Sequence, residues 1–184
     1  MLPRLKKFGE DYPKIRIKLE FKQHKDIVAE EADVVISSAI PHAPHLIQEY
    51  LFSANIALFA SKEYLEKHGI PQKVEDLNCH RLIIYGGYDP YGHNNWVLNL
   101  GKHLNEPPRK SYLEVNSLQG LIKSALLGMG IIEAPNDQSV LNFPELIRVL
   151  PRKRGPLLKV YYVFSQKRKK SKKINLLLEY LKNN

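Results

Sequence analysis

The sequence has little of what marks secreted, disulfide-stapled or membrane-spanning proteins. Its 184 residues include one cysteine, Cys79, so no internal disulfide can form and a reducing compartment is favoured. No apolar run approaches the roughly 20 residues that a membrane-spanning helix needs. Residues 1–7 are interrupted by charges where a secretory signal would be apolar. The sequence therefore predicts a cytoplasmic protein.

Motifs of catalysis and of metal or phosphate binding are also missing. The sequence has no Gly-rich phosphate loop, no Gly-x-Ser-x-Gly elbow and no His-Glu-x-x-His helix. His42 and His45 fall short of the three or four ligands of a metal site. Cys79 and His80 would point to opposite faces of a predicted strand. We expect no metal, no cofactor and no enzymatic activity.

Positive charge is what the sequence has in excess. Lys and Arg number 28 against 19 Asp and Glu, a net charge of +9. Much of the excess lies in one run, residues 167–173, which reads KRKKSKK. This run is either a solvated loop and helix start or a surface for phosphates, although no aromatic residue interleaves it.

Hydrophobic patterning predicts alternating helices and strands. Near-helical spacing of apolar residues predicts a helix from Leu2 to Tyr12, and strict alternation predicts a half-buried strand over Ile15–Phe21. A short helix at 26–31 and a strand at 34–36, of the kind found in covered parallel sheets, follow. Further strands are expected at 56–60, 81–85, 96–98, 112–115, 131–135 and 159–164, and further helices at 61–68, 117–127 and around 174–181.

This order of elements predicts an α/β fold with two lobes. Residues 1–60 with 158–184 would form the first lobe and residues 61–157 the second, since the last strand and helix have no partner in the second lobe. The chain would cross between the lobes on two strands. We expect a ligand cleft at the carboxyl ends of the strands, where α/β folds bind ligands.

Several segments resemble one known family. Residues 26–36, DIVAEEADVVI, resemble a segment usually written DLVAEGFDLAI, and residues 59–71, FASKEYLEKHGIP, resemble the family's entry into its second lobe. Residues 113–117 with 128–135 resemble its "VND … GLGIALLP" block, and residues 146–151 resemble its closing elements. Over nearly its whole length the chain resembles the effector-binding (substrate-binding) domain of LysR-type transcriptional regulators.

The resemblance implies a type II periplasmic-binding-protein-like fold and a small-molecule effector bound between the lobes. It also implies a homodimer or tetramer that contacts DNA only through an N-terminal helix-turn-helix. We expect this chain to lack that helix-turn-helix, and to lack the first strand of the first lobe, which would leave that lobe incomplete.

The candidate effector contacts cluster at strand ends and a helix start, where hydroxyl and backbone N–H groups suit a small anion. Each group has a plainer alternative: an ordinary turn after the strand at 34–36, an exposed loop after 81–85, a simple helix cap at 117, or a solvated strand end at 133. The candidates are Ser37, Ser38, Ala39, Tyr85, Gly86, Asn116, Ser117, Ile131 and Glu133.

Other functions stay open beside the effector-sensing domain. A solute-binding protein of the related two-lobed fold would need a secretory signal, and a truncated fragment would have no function of its own. A two-lobed transferase or dehydratase would need a catalytic constellation that the sequence lacks.

Overall fold

The computed structural model describes residues 2–20, 32–86 and 95–183. The chain divides into two compact units, Met1–Ser53 with Lys159–Asn184 (unit 1) and Ala54–Leu158 (unit 2). The helix expected at 26–31 and the loop residues 87–94 lie outside the described residues. None of the described helices is both long and apolar enough to cross a membrane.

The elements follow one another as an alternation of helices and strands. In chain order they are α1 (Leu2–Asp11), β1 (Val35–Ser37), β2 (Leu46–Ser61), α2 (Lys62–His68), β3 (Leu82–Tyr85), α3 (Trp96–Asn99), β4 (Leu113–Val115), α4 (Leu118–Leu126), β5 (Ile131–Pro135), α5 (Gln138–Leu141), β6 (Leu146–Val149), β7 (Leu157–Ser165) and α6 (Lys172–Asn183). The described residues also include two 3-10 helices, Val74–Cys79 and Gln166–Arg168.

Unit 1 is a small sheet with strand order β1-β7-β2, on which helices α1 and α6 pack. Strand β1 runs antiparallel to β7, with Val35 opposite Val163. Tyr162 and Phe164 of β7 and the apolar face of α6 form the core. Helix α1 joins α6 through Phe8, whose ring lies 5.2 Å from that of Tyr180. The ring of Tyr12 also lies 6.2 Å from that of Tyr180, so aromatic contacts join the two terminal helices.

Unit 2 is a five-stranded mixed sheet with the order β4-β3-β5-β2, and β6 pairs with the other edge of β2. Strands β4, β3 and β5 are parallel, whereas β2 runs antiparallel to β5 and β6. Both faces of this sheet carry a hydrophobic core, and α4 packs on one of them while α2 and α3 pack on the other. Burial on two faces explains why its strands read as apolar runs.

Local capping signals in unit 2 are confirmed. The Ser61 hydroxyl accepts from the Tyr64 N–H at 3.3 Å at the start of α2, and Gly69, with φ of 85°, ends that helix. Gly can adopt this positive φ without a Cβ clash. Helix α4 begins after Ser117, and β5 ends at Pro135, as the sequence predicts.

Two predicted strands are wrong. Residues 15–20 form no strand, and Ile17 and Leu19 are exposed by 43% and 47%. The sequence shows only that apolar and charged residue types alternate here. In the described part of the chain, no neighbouring strand is paired with this segment. Residues 96–98 belong to helix α3 and not to a strand.

Three further differences concern pairing and length. Strand β1 pairs antiparallel with β7, not in the parallel sheet that its apolar run suggested. Strand β2 is 16 residues long, because it begins ten residues before the predicted strand at 56–60. Strand β6 and helix α5 were not predicted as elements.

Candidate functional site

Four of the predicted site residues lie together at the carboxyl edge of strands β3 and β4 in unit 2. Tyr85 ends β3 and is paired with Val115 at the end of parallel β4. The Gly86 N–H donates to the Val115 carbonyl at 3.1 Å, which extends the pairing past the last residue of β3. Asn116 and Ser117 follow directly and are exposed. Parallel strands end at a common edge, so their loops are adjacent there.

Helix α4 presents its N-terminus at this edge. The Ser117 hydroxyl accepts from the Gly120 N–H at 3.0 Å, so the predicted cap is present. Within the described residues, the N–H groups of Leu118 and Gln119 donate to no acceptor. Two unused donors and the positive end of the helix dipole make this position suited to an anion.

Asn95 is a residue of this edge that the sequence analysis missed. Its side-chain amide makes two bonds with the backbone of Tyr85, accepting from the N–H and donating to the carbonyl, both at 3.1 Å. Asn95 has a φ of 64° and directly precedes α3. Asn is among the few residues that adopt this conformation readily, and an Asn before Trp96 is also a helix-start signal.

Glu133 is buried, which corrects the alternative of a solvated strand end. It is 6% exposed in the middle of β5. One carboxylate oxygen accepts from the Asn95 N–H, and the other accepts from the Val97 N–H at 3.0 Å. The negative charge therefore caps the N-terminus of α3. Glu133 supports the edge indirectly, because it holds Asn95, which holds Tyr85.

Arg109 occupies the other end of α3. Its guanidinium donates to the carbonyls of Leu100 at 2.7 Å, Val97 at 3.2 Å and Val74 at 3.1 Å. Burial lowers the pKa of Arg109, and the charges of Glu75 and Glu106 oppose this shift. The four-residue helix α3 thus has a carboxylate at its amino end and a guanidinium at its carboxyl end.

Ile131 does not belong to the edge. Its relative exposure is 0% and it lies in the core on the α2 and α3 face of the sheet. It is paired with Leu82, whereas Tyr85 lies three residues further along β3, about 10 Å away at 3.3 Å per residue. A side chain with no accessible surface cannot contact a ligand in this conformation, so the proposed site does not include Ile131.

The remaining candidates, Ser37, Ser38 and Ala39, lie in unit 1 at the end of β1. The Ser37 hydroxyl donates to the Ser38 carbonyl at 2.8 Å. The next residue, Ile40, is held by the Gln48 side chain, which accepts from its N–H at 2.8 Å and donates to its carbonyl at 2.7 Å. Gln48 was not predicted, since its position on β2 became evident only from the fold.

A cluster of titratable side chains lies near the start of β3, away from the edge. The Tyr64 hydroxyl accepts from the Arg81 N–H at 2.9 Å and lies 3.2 Å from Nδ1 of His80. The ring of His68 stacks on Tyr64 at 4.5 Å. Burial is the largest cause that lowers the pKa of His80; the charge of His68 lowers it further and that of Asp76 opposes.

In the described part of the chain no group of three or more His, Cys, Asp or Glu side chains is arranged to hold a metal ion. His42 and His45 are exposed in the loop before β2, and Cys79 is an exposed free thiol.

Solved structures share this fold. The regulatory domain of CrgA from Neisseria meningitidis matches with a TM-score of 0.83 and 21% identity, over 99% of this chain and 90% of that one. Full-length AphB of Vibrio cholerae matches with a TM-score of 0.74 and 21% identity, over 100% of this chain and 63% of that one. The fold is therefore the two-lobed, type II periplasmic-binding-protein-like fold of LysR regulatory domains.

The family model for the LysR substrate binding domain matches residues 1–184, and the chain belongs to this family. The regulator YhjC of Escherichia coli K12 is 29% identical over 98% of this chain and 62% of its own length. The activator TtdR of Escherichia coli UTI89 is 28% identical over 97% of this chain and 58% of its own length. The chain thus spans about three fifths of these relatives, and the family is one of transcriptional regulators, not of enzymes.

Proposed function

We propose that this chain is the effector-sensing part of a LysR-type transcriptional regulator, and that it has no enzymatic activity. Units 1 and 2 would be its two lobes. The match of the whole chain to the LysR substrate binding domain carries this proposal. We further propose that the complete regulator acts in the cytoplasm as a homodimer or tetramer and recognises its operator through a separate helix-turn-helix.

We propose that the effector is a small anion bound at the carboxyl edge of unit 2. The site would be formed by Tyr85, Gly86, Asn116 and Ser117. The Asn95 amide holds the backbone of Tyr85, and the Glu133 carboxylate holds Asn95. The N–H groups of Leu118 and Gln119 support an anion, because they can donate to a carboxylate without competing with the Ser117 cap. Ser37, Ser38 and Ala39 stay predicted effector contacts.

The charge of Glu133 does not argue against an anionic effector. Its two oxygens already accept from the backbone N–H groups of Asn95 and Val97, and its side chain is buried. The carboxylate is therefore engaged with the start of helix α3 and is shielded from solvent.

The test is calorimetric titration of this chain with a panel of small carboxylates and matched neutral amides. Two variants at one position separate capping from charge: Ser117→Asn and Ser117→Asp, since Asn and Asp both cap helices about as well as Ser. At a separation of about 4 Å an added carboxylate opposes an anion by roughly 1 kcal/mol in water and more where solvent is excluded. We expect Ser117→Asp to weaken a bound carboxylate fivefold or more, while Ser117→Asn changes its affinity far less.

Ser61→Ala is the control for stability. Ser61 caps α2 as Ser117 caps α4, so its loss should cost about 1 kcal/mol of stability without changing affinity. If Ser117→Asp and Ser117→Asn bind the carboxylate with equal affinity, the effector does not bind at this edge. Turnover of any panel compound would contradict a purely sensing role.

A further inference from the structure

We propose that unit 1 carries its own surface for the phosphates of duplex DNA, formed by the five lysines Lys167, Lys169, Lys170, Lys172 and Lys173 (the lysine patch). This goes beyond effector sensing, and it depends on the proposed function only for the presence of DNA near the domain.

Within residues 2–20, 32–86 and 95–183, the lysine patch has no acidic side chain paired with it. Of the six cations in residues 167–173, Arg168 pairs with Asp33. No described carboxylate forms an ion pair with the other five cations, which are the lysines of the patch. All five of these lysines are exposed. Most single surface charges are solvated and need no partner, but five within seven residues repel one another.

The position of the lysine patch adds to this repulsion. Lys172 and Lys173 begin helix α6, whose first turn contains no acidic residue. A helix N-terminus carries a partial positive charge, so lysines there are placed against the helix dipole. By contrast, Arg4 donates to the carbonyl of Leu181 at 2.8 Å at the opposite end of α6, where a cation is favoured. An anionic partner would relieve both effects.

The backbone of the lysine patch is held in place by hydrogen bonds. Gln166 donates to the carbonyl of His45 at 2.9 Å through its N–H and to that of Pro44 at 2.7 Å through its side chain. Asn175 donates to the Lys169 carbonyl at 3.1 Å. Because the backbone is anchored, only the lysine side chains have to be ordered on contact with a polyanion.

The chemistry of the patch favours duplex DNA over other polyanions. Binding to single strands relies on aromatic side chains that stack on bases, and no aromatic residue lies between 165 and 179. Contact with duplex phosphates requires only cations and does not read sequence. The family to which this chain belongs is one of transcriptional regulators, which brings such a surface close to duplex DNA.

The experiment measures fluorescence anisotropy of labelled 20-base-pair duplexes with this chain between 50 and 200 mM salt. Five phosphate contacts give a slope of at most about −4.5 in log affinity against log salt, or about 500-fold over this range. The triple variant Lys169→Gln, Lys170→Gln, Lys173→Gln leaves two contacts, a slope near −1.8 and about a twelvefold change. Two duplexes of unrelated sequence should bind alike.

The matched control removes the same charge elsewhere. Lys67→Gln, Lys123→Gln, Lys153→Gln changes three exposed lysines of unit 2. We expect it to retain most of the salt slope, and an equal loss in both triple variants would overturn the lysine patch as the surface. The patch variant should melt at the same or a higher temperature at low salt, which excludes misfolding.

Stronger binding to phosphatidylserine vesicles than to duplex DNA would assign the surface to a membrane and would also overturn the proposal.

Discussion

Glu133 offers the most direct test of how unit 2 is built. Its carboxylate is buried and accepts from the backbone N–H groups of Asn95 and Val97. The substitution Glu133→Gln preserves the shape but leaves one oxygen and turns the other position into a donor that faces an N–H. One charge-assisted bond is lost, which is worth about 1.5–3 kcal/mol. The lost charge at the helix start adds up to about 1 kcal/mol.

We therefore expect Glu133→Gln to lower the free energy of unfolding by about 2–4 kcal/mol. That is a large share of the roughly 5–15 kcal/mol that stabilises a typical domain. The assay is urea denaturation followed by tryptophan fluorescence, because the only tryptophan, Trp96, is the first residue of α3. Far-UV circular dichroism on the same samples shows whether α3 opens before the rest of the chain.

The matched control is Glu66→Gln. Glu66 is an exposed glutamate of α2, whose side chain is 66% accessible beside Lys62 at i−4. Its loss should cost no more than about 0.5 kcal/mol. A Glu133→Gln variant that loses less than about 0.5 kcal/mol, or whose Trp96 transition does not move, would refute the role of this carboxylate as the cap of α3.

Three further predictions concern Arg109, a pair of glycines and His80, and each is measured by chemical or thermal unfolding. Arg109→Met should cost about 2–4 kcal/mol, because three partly buried carbonyls lose a charged donor. Gly120→Ala should destabilise by about 1–3 kcal/mol, since a Cβ would lie 2.4 Å from Cγ1 of Val115, whereas Gly9→Ala, with nothing within 4 Å, should stabilise by about 0.5–1 kcal/mol. The pKa of His80 is lowered from 6.5, so the unfolded chain binds more protons and stability should fall as pH drops below about 6.5; His80→Asn should flatten this dependence.

Helix caps could be predicted from the sequence because their physics is local. Ser61, Gly69 and Ser117 each act on residues no more than four positions away. A hydroxyl that caps, or a glycine that adopts a positive φ, does so largely independently of the distant chain. For the same reason the predicted starts of α2 and α4 are confirmed.

Helix α3 could not be predicted, because what stabilises it is distant in sequence. Four residues are too few for a helix to form by propensity alone. The acceptor at its start, Glu133, is 36 positions from Val97, and the donor at its end, Arg109, is 12 positions from it. Trp96 and Val97 favour a strand by type, which explains the wrong prediction at 96–98.

The strand predicted at 15–21 is wrong because strand formation depends on a pairing partner. Alternation states which side chains would share a face, but a strand exists only where another strand supplies hydrogen bonds. Within the described residues, β1 pairs only with β7. Pattern alone does not contain that information, so the residue types alternate in the sequence but form no strand, and Ile17 and Leu19 are exposed.

The candidate edge depends on the same distant contacts that the sequence could not reveal. Four of its residues were predicted by their position after strands and before a helix, which is a property of local order. Their geometry depends on Asn95, whose amide holds the backbone of Tyr85, and on Glu133, which holds Asn95. Glu133, a predicted effector contact, is a buried charge whose hydrogen bonds orient the backbone beside the proposed effector site. Changes at Glu133 should therefore act on binding through the position of Tyr85.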